Sequence, residues 1–327
     1  MLRTDDFDFP LPEELIASRP LPRRDDSRLM LVDRTRGTVE HRAFRDFPQL
    51  LGADDLVVFN NVRVARARFY SSNGRIEILR LHAVTPRHWQ CMVRPGKRLR
   101  QGHTLQIGDA SGTVTEIMED GTRLILWDHP PDDQQHGHLA LPHYMRRDDD
   151  AEDTGRYQTV YARPDRSDAV AAPTAGLHFT PEIIAGLRHA FITLHVGPGT
   201  FQPVKAEFIA DHVMHAERYE IEAAAAEKIE AAARRVAVGT TVARVLEHCA
   251  LSHGRVIAHS SETRIFIHPG FSFQRVDALL TNFHLPKSTL FMLACALGGT
   301  TLLKHAYAEA VREHYRFYSY GDCMLIL

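Results

Sequence analysis

Four apolar runs in the second half of the chain each break off into small, polar or histidine residues: AVAAPTAGLHFT (169–180), ITLHVGPGTF (192–201), VAVGTTVAR (236–244) and ALLTNFHLPKST (278–289). Between and after them lie stretches with helical character, among them the alanine-rich amphipathic EIEAAAAEKIEAAARR (220–235) and VARVLEHCA. Apolar run, turn, helix and apolar run is the order of a crossover unit. The region therefore predicts an α/β fold built on a parallel sheet. Ligands of such sheets collect beyond the carboxyl ends of the strands, so the four turns are expected to meet at one cleft.

The first half has a different rhythm. GRIEILRLHAV, WQCMVRPG, HTLQIG, GTVTEIM and TRLILWD are short, alternating or β-branched, and Gly, Pro and Asp separate them. Their spacing predicts a small all-β barrel or sandwich. A Pro/His-rich loop, HPPDDQQHGHLALPHY, and an acidic run, RRDDDAED, follow it as connection. The expected organisation is a discontinuous α/β domain, residues 1–62 and 151–327, with an inserted β-barrel domain, residues 63–150. At 327 residues and 44% hydrophobic side chains the chain can bury one large core and a smaller satellite.

The N-terminus carries no basic region followed by an apolar run. The longest apolar segment, near 290–297, is too short to span a bilayer. A cytoplasmic protein without a membrane partner is expected, with a monomer as the simplest state. Four cysteines lie far apart with no C-x-x-C pair, which excludes a disulfide framework or a zinc finger. Histidine is abundant, at 20 residues, and clusters at 212/215 and at 129/136/138/143. Neither cluster has metal-ligand spacing, so no metal is expected.

The turn at 282–289 holds most of the polar side chains. Pro286 suits the first turn of a helix, Ser288 and Thr289 lie among backbone donors without intrahelical partners, and Lys287 beside them favours an anion. Ser288 or Thr289 taken alone reads equally well as a helix cap. The glycines of Gly197-Pro198-Gly199-Thr200 and of Gly239-Thr240-Thr241 mean only tight bends by themselves. Net charge is −2 with histidine neutral, so the total requires no nucleic acid. Local basic clusters, Arg63 in RVARAR and Arg94, Lys97 and Arg98 in RPGKRLR, are the places from which a nucleic-acid backbone would be gripped.

Taken together, FNNVRVARAR, RYQTVYA, AVAAPTAGLHF, TLHVGPGTFQPV, DHVMHAERYEI, VAVGTT with RVLE, TRIFIHPGF, VDALLTNFHLPKSTL and YRFYSYGDCMLI resemble one family nearly end to end. It is the S-adenosylmethionine:tRNA ribosyltransferase-isomerase family of queuosine biosynthesis. The resemblance implies a co-substrate, S-adenosylmethionine, and a partner, tRNA carrying 7-aminomethyl-7-deazaguanine. It also implies an α/β domain combined with a smaller β-barrel. The ribosyl group is transferred and isomerised to give epoxyqueuosine, with adenine and methionine released.

That chemistry needs a base for the acidic methylene beside the sulfonium and a group assisting adenine departure. His178, His215, Glu217, Asp277 and His284 are the candidates. Phe179, Phe201 and Phe283 offer aromatic faces to the sulfonium, and Arg244 or Lys287 would take the methionine carboxylate. Thr174, Thr200, Thr240, Thr241, Asn282, Ser288 and Thr289 complete the expected co-substrate contacts. Arg63, Arg94, Lys97 and Arg98 are the expected phosphate contacts. Against the family pattern, Val62, Ala216 and Val242 stand where hydroxyl-bearing residues are usual. A relative with a changed acceptor, or one that binds tRNA or S-adenosylmethionine with little catalysis, is the alternative reading.

Overall fold

The computed structural model describes residues 1–167, 169–197 and 204–327. Its strands are β1 (Arg28–Asp33), β2 (Thr38–Ala43), β3 (Asp55–Asn60), β4 (Arg68–Tyr70), β5 (Glu77–Thr85), β6 (His88–Arg94), β7 (Thr104–Ile107), β8 (Ala110–Ile117), β9 (Arg123–Trp127), β10 (His189–Leu194), β11 (Glu217–Ile221), β12 (Arg234–Val238), β13 (His259–Thr263), β14 (Ala278–Asn282) and β15 (Cys323–Ile326). The helices are α1 (Asp133–His136), α2 (Ala151–Arg156), α3 (Pro181–Ala185), α4 (Ala223–Ala231), α5 (Thr240–His253), α6 (Thr289–Gly298) and α7 (Thr300–Arg312).

Two sheets account for these strands. The larger has nine among the described residues, in the order β13-β11-β10-β3-β12-β14-β15-β1-β2. It is mixed, which corrects the expectation of a parallel sheet. β10, β3, β12 and β14 run parallel to one another, and β1 is parallel to β15. The β1–β2, β10–β11, β11–β13 and β14–β15 pairings are antiparallel. The reason is local in each case. β1 and β2 form a hairpin whose turn is set by Asp33 Oδ1, which accepts from the N–H groups of Thr35 (2.9 Å) and Arg36 (3.0 Å), and by Gly37 at φ +67°. Two helices, α6 and α7, bent by 117°, separate β14 from β15, so the chain comes back in the opposite direction.

The alanine-rich stretch is shorter as a helix than its composition suggests. β11 takes Glu220 and Ile221 because Glu217, Tyr219 and Ile221 alternate on a buried face, and β12 takes Arg234 and Arg235. Period-two burial overrides helix propensity at the first end, and the continuously buried run Val236–Val238 does so at the second. Helix α5 carries the opposite lesson: it is buried almost all round, packs on β12, β3, β10 and β14, and ends at Gly254 with φ +72°.

The smaller sheet is antiparallel throughout, in the order β4-β5-β6-β9-β8-β7. It is nearly closed: Ser72 N, just past β4, donates to Gln106 O of β7 at 2.8 Å. Its interior is filled by Phe69, Ile78, Trp89, Cys91, Val114, Ile125 and Trp127. A side chain at Gly112 would collide with Ile125 and Trp127, within 2.8 Å, so glycine there lets the sheet curl over the tryptophans. Among the described residues no single helix is long and apolar enough to cross a membrane. All four cysteines are free and buried.

Candidate functional site

The four central strands point the same way, and the residues that follow three of them, β10, β12 and β14, share a hollow with the strandless segment at Ala172–Ala175. A cleft of about 540 Å³, open to solvent, is lined by Ala172–Ala175, Val196, Gly239–Thr241, Thr281–His284, Leu290, Tyr318 and Ser319. All four turns singled out in the sequence contribute. Tyr318-Ser319, which the sequence offers only as part of a family motif, joins them without having been expected at the site. It arrives because β15 pairs with β14.

Each wall has a local cause. Gly239 adopts φ +91°, a conformation that disfavours any other residue, and lets the chain turn from β12 directly into α5. Thr240 and Thr241 then lie in the first turn of a 14-residue helix, where backbone N–H groups have no intrahelical acceptor. Asn282 Nδ2 donates to Tyr318 O at 2.9 Å, and Tyr318 N donates to Phe283 O at 3.0 Å. These bonds hold Tyr318 at φ +76°, in the left-handed region that non-glycine residues avoid.

Two histidines belong to this region. His284 lines the cleft, 7% exposed; its ring Nε2 shares a hydrogen bond of 2.7 Å with Thr281 Oγ1, and its backbone N donates to Tyr307 OH at 3.0 Å. Burial alone lowers its pKa to about 3. His178 sits behind Asn282, with Nδ1 2.7 Å from Ser27 Oγ. Burial lowers its pKa to about 4, opposed by Asn282, and the charges of Arg24 and Arg316 push the same way as burial. The Asn282 contact is not a well-formed bond: His178 Nε2 and Asn282 Oδ1 are both buried without a partner of good geometry. Both imidazoles are thus neutral near pH 7, and among the described residues no carboxylate, lysine or arginine lines the cleft.

Several expected residues lie elsewhere. His215 is exposed, near enough to Asp120 of the small sheet to lower that carboxyl's pKa, and it does not meet His178 or His284. Asp277 precedes β14 and binds Arg235 through the backbone N (2.8 Å) and Nη1 (3.5 Å). At about 3.3 Å per residue it is some 17 Å from Asn282, at the opposite end of the strand. Glu217 and Arg244 are buried against each other in an ion pair, Glu217 also accepts from Gly197 N at 3.1 Å, and Arg244 Nε donates to Ile265 O at 3.2 Å. They stand behind the cleft wall at Val196-Gly197.

The aromatic and helix-start expectations also shift. The Phe179 ring is fully buried among Phe44, Phe47 and Phe59, and the Phe283 ring packs on Tyr307, Tyr315 and Phe317. Helix α6 starts at Thr289, so Pro286 precedes the helix instead of opening it. Ser288 is the cap: its Oγ accepts from Phe291 N at 3.2 Å and donates to Leu285 O at 2.7 Å. Thr289 is half-buried outside the cleft lining. Lys287 reaches away, to Asp5 (2.9 Å) and Asp8 (3.0 Å), which hold its pKa up. Thr200 and Phe201 lie outside the described residues, whereas Thr174, Thr240, Thr241, Asn282 and Phe283 line the cleft.

Arg63, Arg94, Lys97 and Arg98 are all exposed. Arg94 Nη1 lies 3.1 Å from His143 Nε2, and Arg98 Nη1 donates to Arg75 O at 3.3 Å. Among the described residues none of the four is in an ion pair, and no group of three His, Cys, Asp or Glu side chains is placed to hold a metal.

Known proteins share this pattern over almost the whole chain. The profile described as queuosine biosynthesis protein matches residues 4–326. The chain belongs to the queuosine biosynthesis protein family. A relative named S-adenosylmethionine:tRNA ribosyltransferase-isomerase from Geobacter metallireducens is 47% identical over 99% of this chain and 100% of its own length. One of the same name from Halothermothrix orenii is 43% identical over the whole of both. The crystal structure of S-adenosylmethionine tRNA ribosyltransferase from Thermotoga maritima is 37% identical, with a TM-score of 0.57, over 98% of this chain and all of that one. Val62 and Val242, expected from the resemblance to stand in place of hydroxyl-bearing residues, are fully buried and neither lines the cleft. Their methyl groups fill space and remove no donor from its wall.

Proposed function

We propose that this chain transfers and isomerises the ribosyl part of S-adenosylmethionine onto 7-aminomethyl-7-deazaguanine in tRNA, giving epoxyqueuosine-tRNA with release of adenine and methionine. The observation that carries the reading is the end-to-end family match, together with relatives of that name aligned over their full lengths. The reaction is cytoplasmic, the protein acts as a monomer, and residues 63–150 form a domain inserted into the unit made by 1–62 and 151–327.

The cleft's chemistry supports this reading. A sulfonium is a fixed cation, and a pocket lined by Thr174, Thr240, Thr241, Asn282 and Ser319 without lysine or arginine does not repel it. The sulfonium acidifies the ribose methylene next to it. His284, neutral and oriented through Thr281, takes that proton; its low basicity is offset by holding base and C–H together in one pocket. Donors at the start of α5 and the side-chain hydroxyls beside them stabilise oxygen charge on the sugar as bonds rearrange. Arg94, Lys97 and Arg98 hold tRNA phosphates at the small sheet.

The test is incubation with S-adenosylmethionine and precursor-bearing tRNA, followed by chromatography for adenine and for the modified nucleoside. Both products are expected. Co-substrate binding without adenine release would replace this reading with that of a binding relative.

A further inference from the structure

A second, smaller hollow of about 290 Å³ adjoins the cleft, and Ser319 lines both. Arg24, Arg156, Ser27 and His178 face it. Arg24 donates to Leu177 O (3.1 Å) and Gly155 O (2.8 Å), and Arg156 to Pro22 O (2.9 Å). Arg316, behind the rim at Pro20, donates to Arg19 O. Each of the three guanidiniums is half-buried, and among the described residues none forms an ion pair. Among the described residues Arg156 Nε and Arg316 Nη1 are buried with no hydrogen-bond acceptor.

Nearby carboxylates are already engaged. Asp153 accepts from Arg147 and from Tyr320 OH (2.8 Å), and Asp25 from Arg23 (2.9 Å). Asp322 accepts from Arg28 N and Arg316 N, both at 2.8 Å, and burial still outweighs it in disfavouring the charge on Arg316. Burial and the neighbouring Arg156 both disfavour the charge on Arg24. Buried charge is ordinarily paired, because an isolated guanidinium in a low-dielectric setting is costly. A hollow lined by Arg23, Arg24 and Arg156 and by serine hydroxyls, with no carboxylate among its described lining residues, is complementary to an oxyanion.

We propose that this hollow is an oxyanion subsite that seats a tRNA phosphodiester next to the nucleotide being modified in the cleft. The identity of the occupant rests on the functional reading above; the oxyanion chemistry does not. The methionyl carboxylate of S-adenosylmethionine has the same chemistry. It brings an ammonium with it, however, and no carboxylate lines the hollow to receive one.

The experiment compares wild type with Arg24→Gln, Arg156→Gln and the double variant. Sulfate is titrated while Tm is followed, precursor-bearing tRNA is bound at several salt concentrations, and S-adenosylmethionine binding is measured by calorimetry. Circular dichroism checks folding, and Arg24→Lys, which keeps the charge, is expected to retain most of the sulfate response. The expected result is a sulfate-dependent rise in Tm that the double variant loses. Its tRNA affinity should fall about tenfold, with a salt slope smaller by roughly one, and its S-adenosylmethionine affinity should be unchanged. Loss of S-adenosylmethionine affinity with an intact tRNA slope would overturn the phosphodiester and assign the carboxylate. A double variant that responds to sulfate and binds both substrates as wild type does would overturn the subsite. If wild type releases no adenine, the functional reading fails, and the sulfate arm still judges the hollow.

Discussion

The two sheets divide the labour differently. The small antiparallel sheet puts a dry interior around Trp89 and Trp127 and leaves its basic residues, Arg94, Lys97 and Arg98, in solvent. The nine-stranded sheet does the reverse at one end: it buries hydroxyls, amides and two imidazoles beside the carboxyl ends of four parallel strands. One surface is suited to long-range attraction, which salt screens, and the other to chemistry by fixed, short-range dipoles, which depends less on salt. The contrast says that affinity for tRNA and turnover should be separable by mutation.

The largest separation is expected at His284. His284→Ala should lower kcat by ~10²–10⁴-fold, the usual worth of a positioned base, while tRNA affinity holds. His215→Ala, on the exposed loop near Asp120, should change kcat far less. Single-turnover adenine release reads both, and an equal loss at the two positions would erase the distinction drawn between them. Next comes the buried pair behind the cleft wall. Glu217→Gln leaves Arg244 charged and unpaired in the interior and should cost about 3–5 kcal/mol in urea unfolding, more than any change on the exposed face of the small sheet. A cost near zero would mean that the pair is solvated.

Acid should reveal the cleft region third. His178 titrates at about 4 when folded and near 6.5 in the unfolded chain, so in that window only the unfolded state takes up the proton. Stability is therefore fully present above pH 6.5 and falls as pH drops toward 4, by about 3 kcal/mol from this residue. Urea midpoints between pH 7 and 4.5 should drop less steeply in His178→Asn; parallel curves would show that the ring is protonated in the fold. The smallest effect is expected on the small sheet. Lys97→Gln and Arg98→Gln should each reduce the salt slope of tRNA binding by about one for every phosphate left without its cation, with kcat at saturating tRNA unchanged. A fall in kcat instead would place these side chains in the chemistry.

Much of the main cleft was legible in the sequence because its signal is local: an apolar strand that stops at Gly239-Thr240 or Asn282-Phe283-His284 announces a turn at a strand end. What could not be read were relations between distant segments. Lys287 looks like an anion ligand until Asp5 and Asp8, far away in sequence, are seen to hold it. Asp277 looks like a base in an apolar run, although its place at the start of β14 puts it at the wrong end of the sheet. Phe179 and Phe283 carry the right chemistry for a sulfonium, but tertiary packing consumes their faces. The parallel order of β10, β12 and β14 followed from helix alternation; the place of β3 between β10 and β12, the absence of a strand at 169–174 and the antiparallel outer pairings did not, because strand order and direction depend on how distant elements meet.

The pairing of β15 with both β14 and β1 bears on how the molecule is made. Arg28 N bonds Asp322 across 294 residues, and the same late segment supplies Tyr318 and Ser319 to the cleft wall. During translation the small sheet can therefore condense while the larger one still lacks an inner strand. The emerging polypeptide stays without a finished pocket until nearly everything up to Ile326 has left the ribosome, and a partly synthesised molecule would hold RNA sooner than it could alter it.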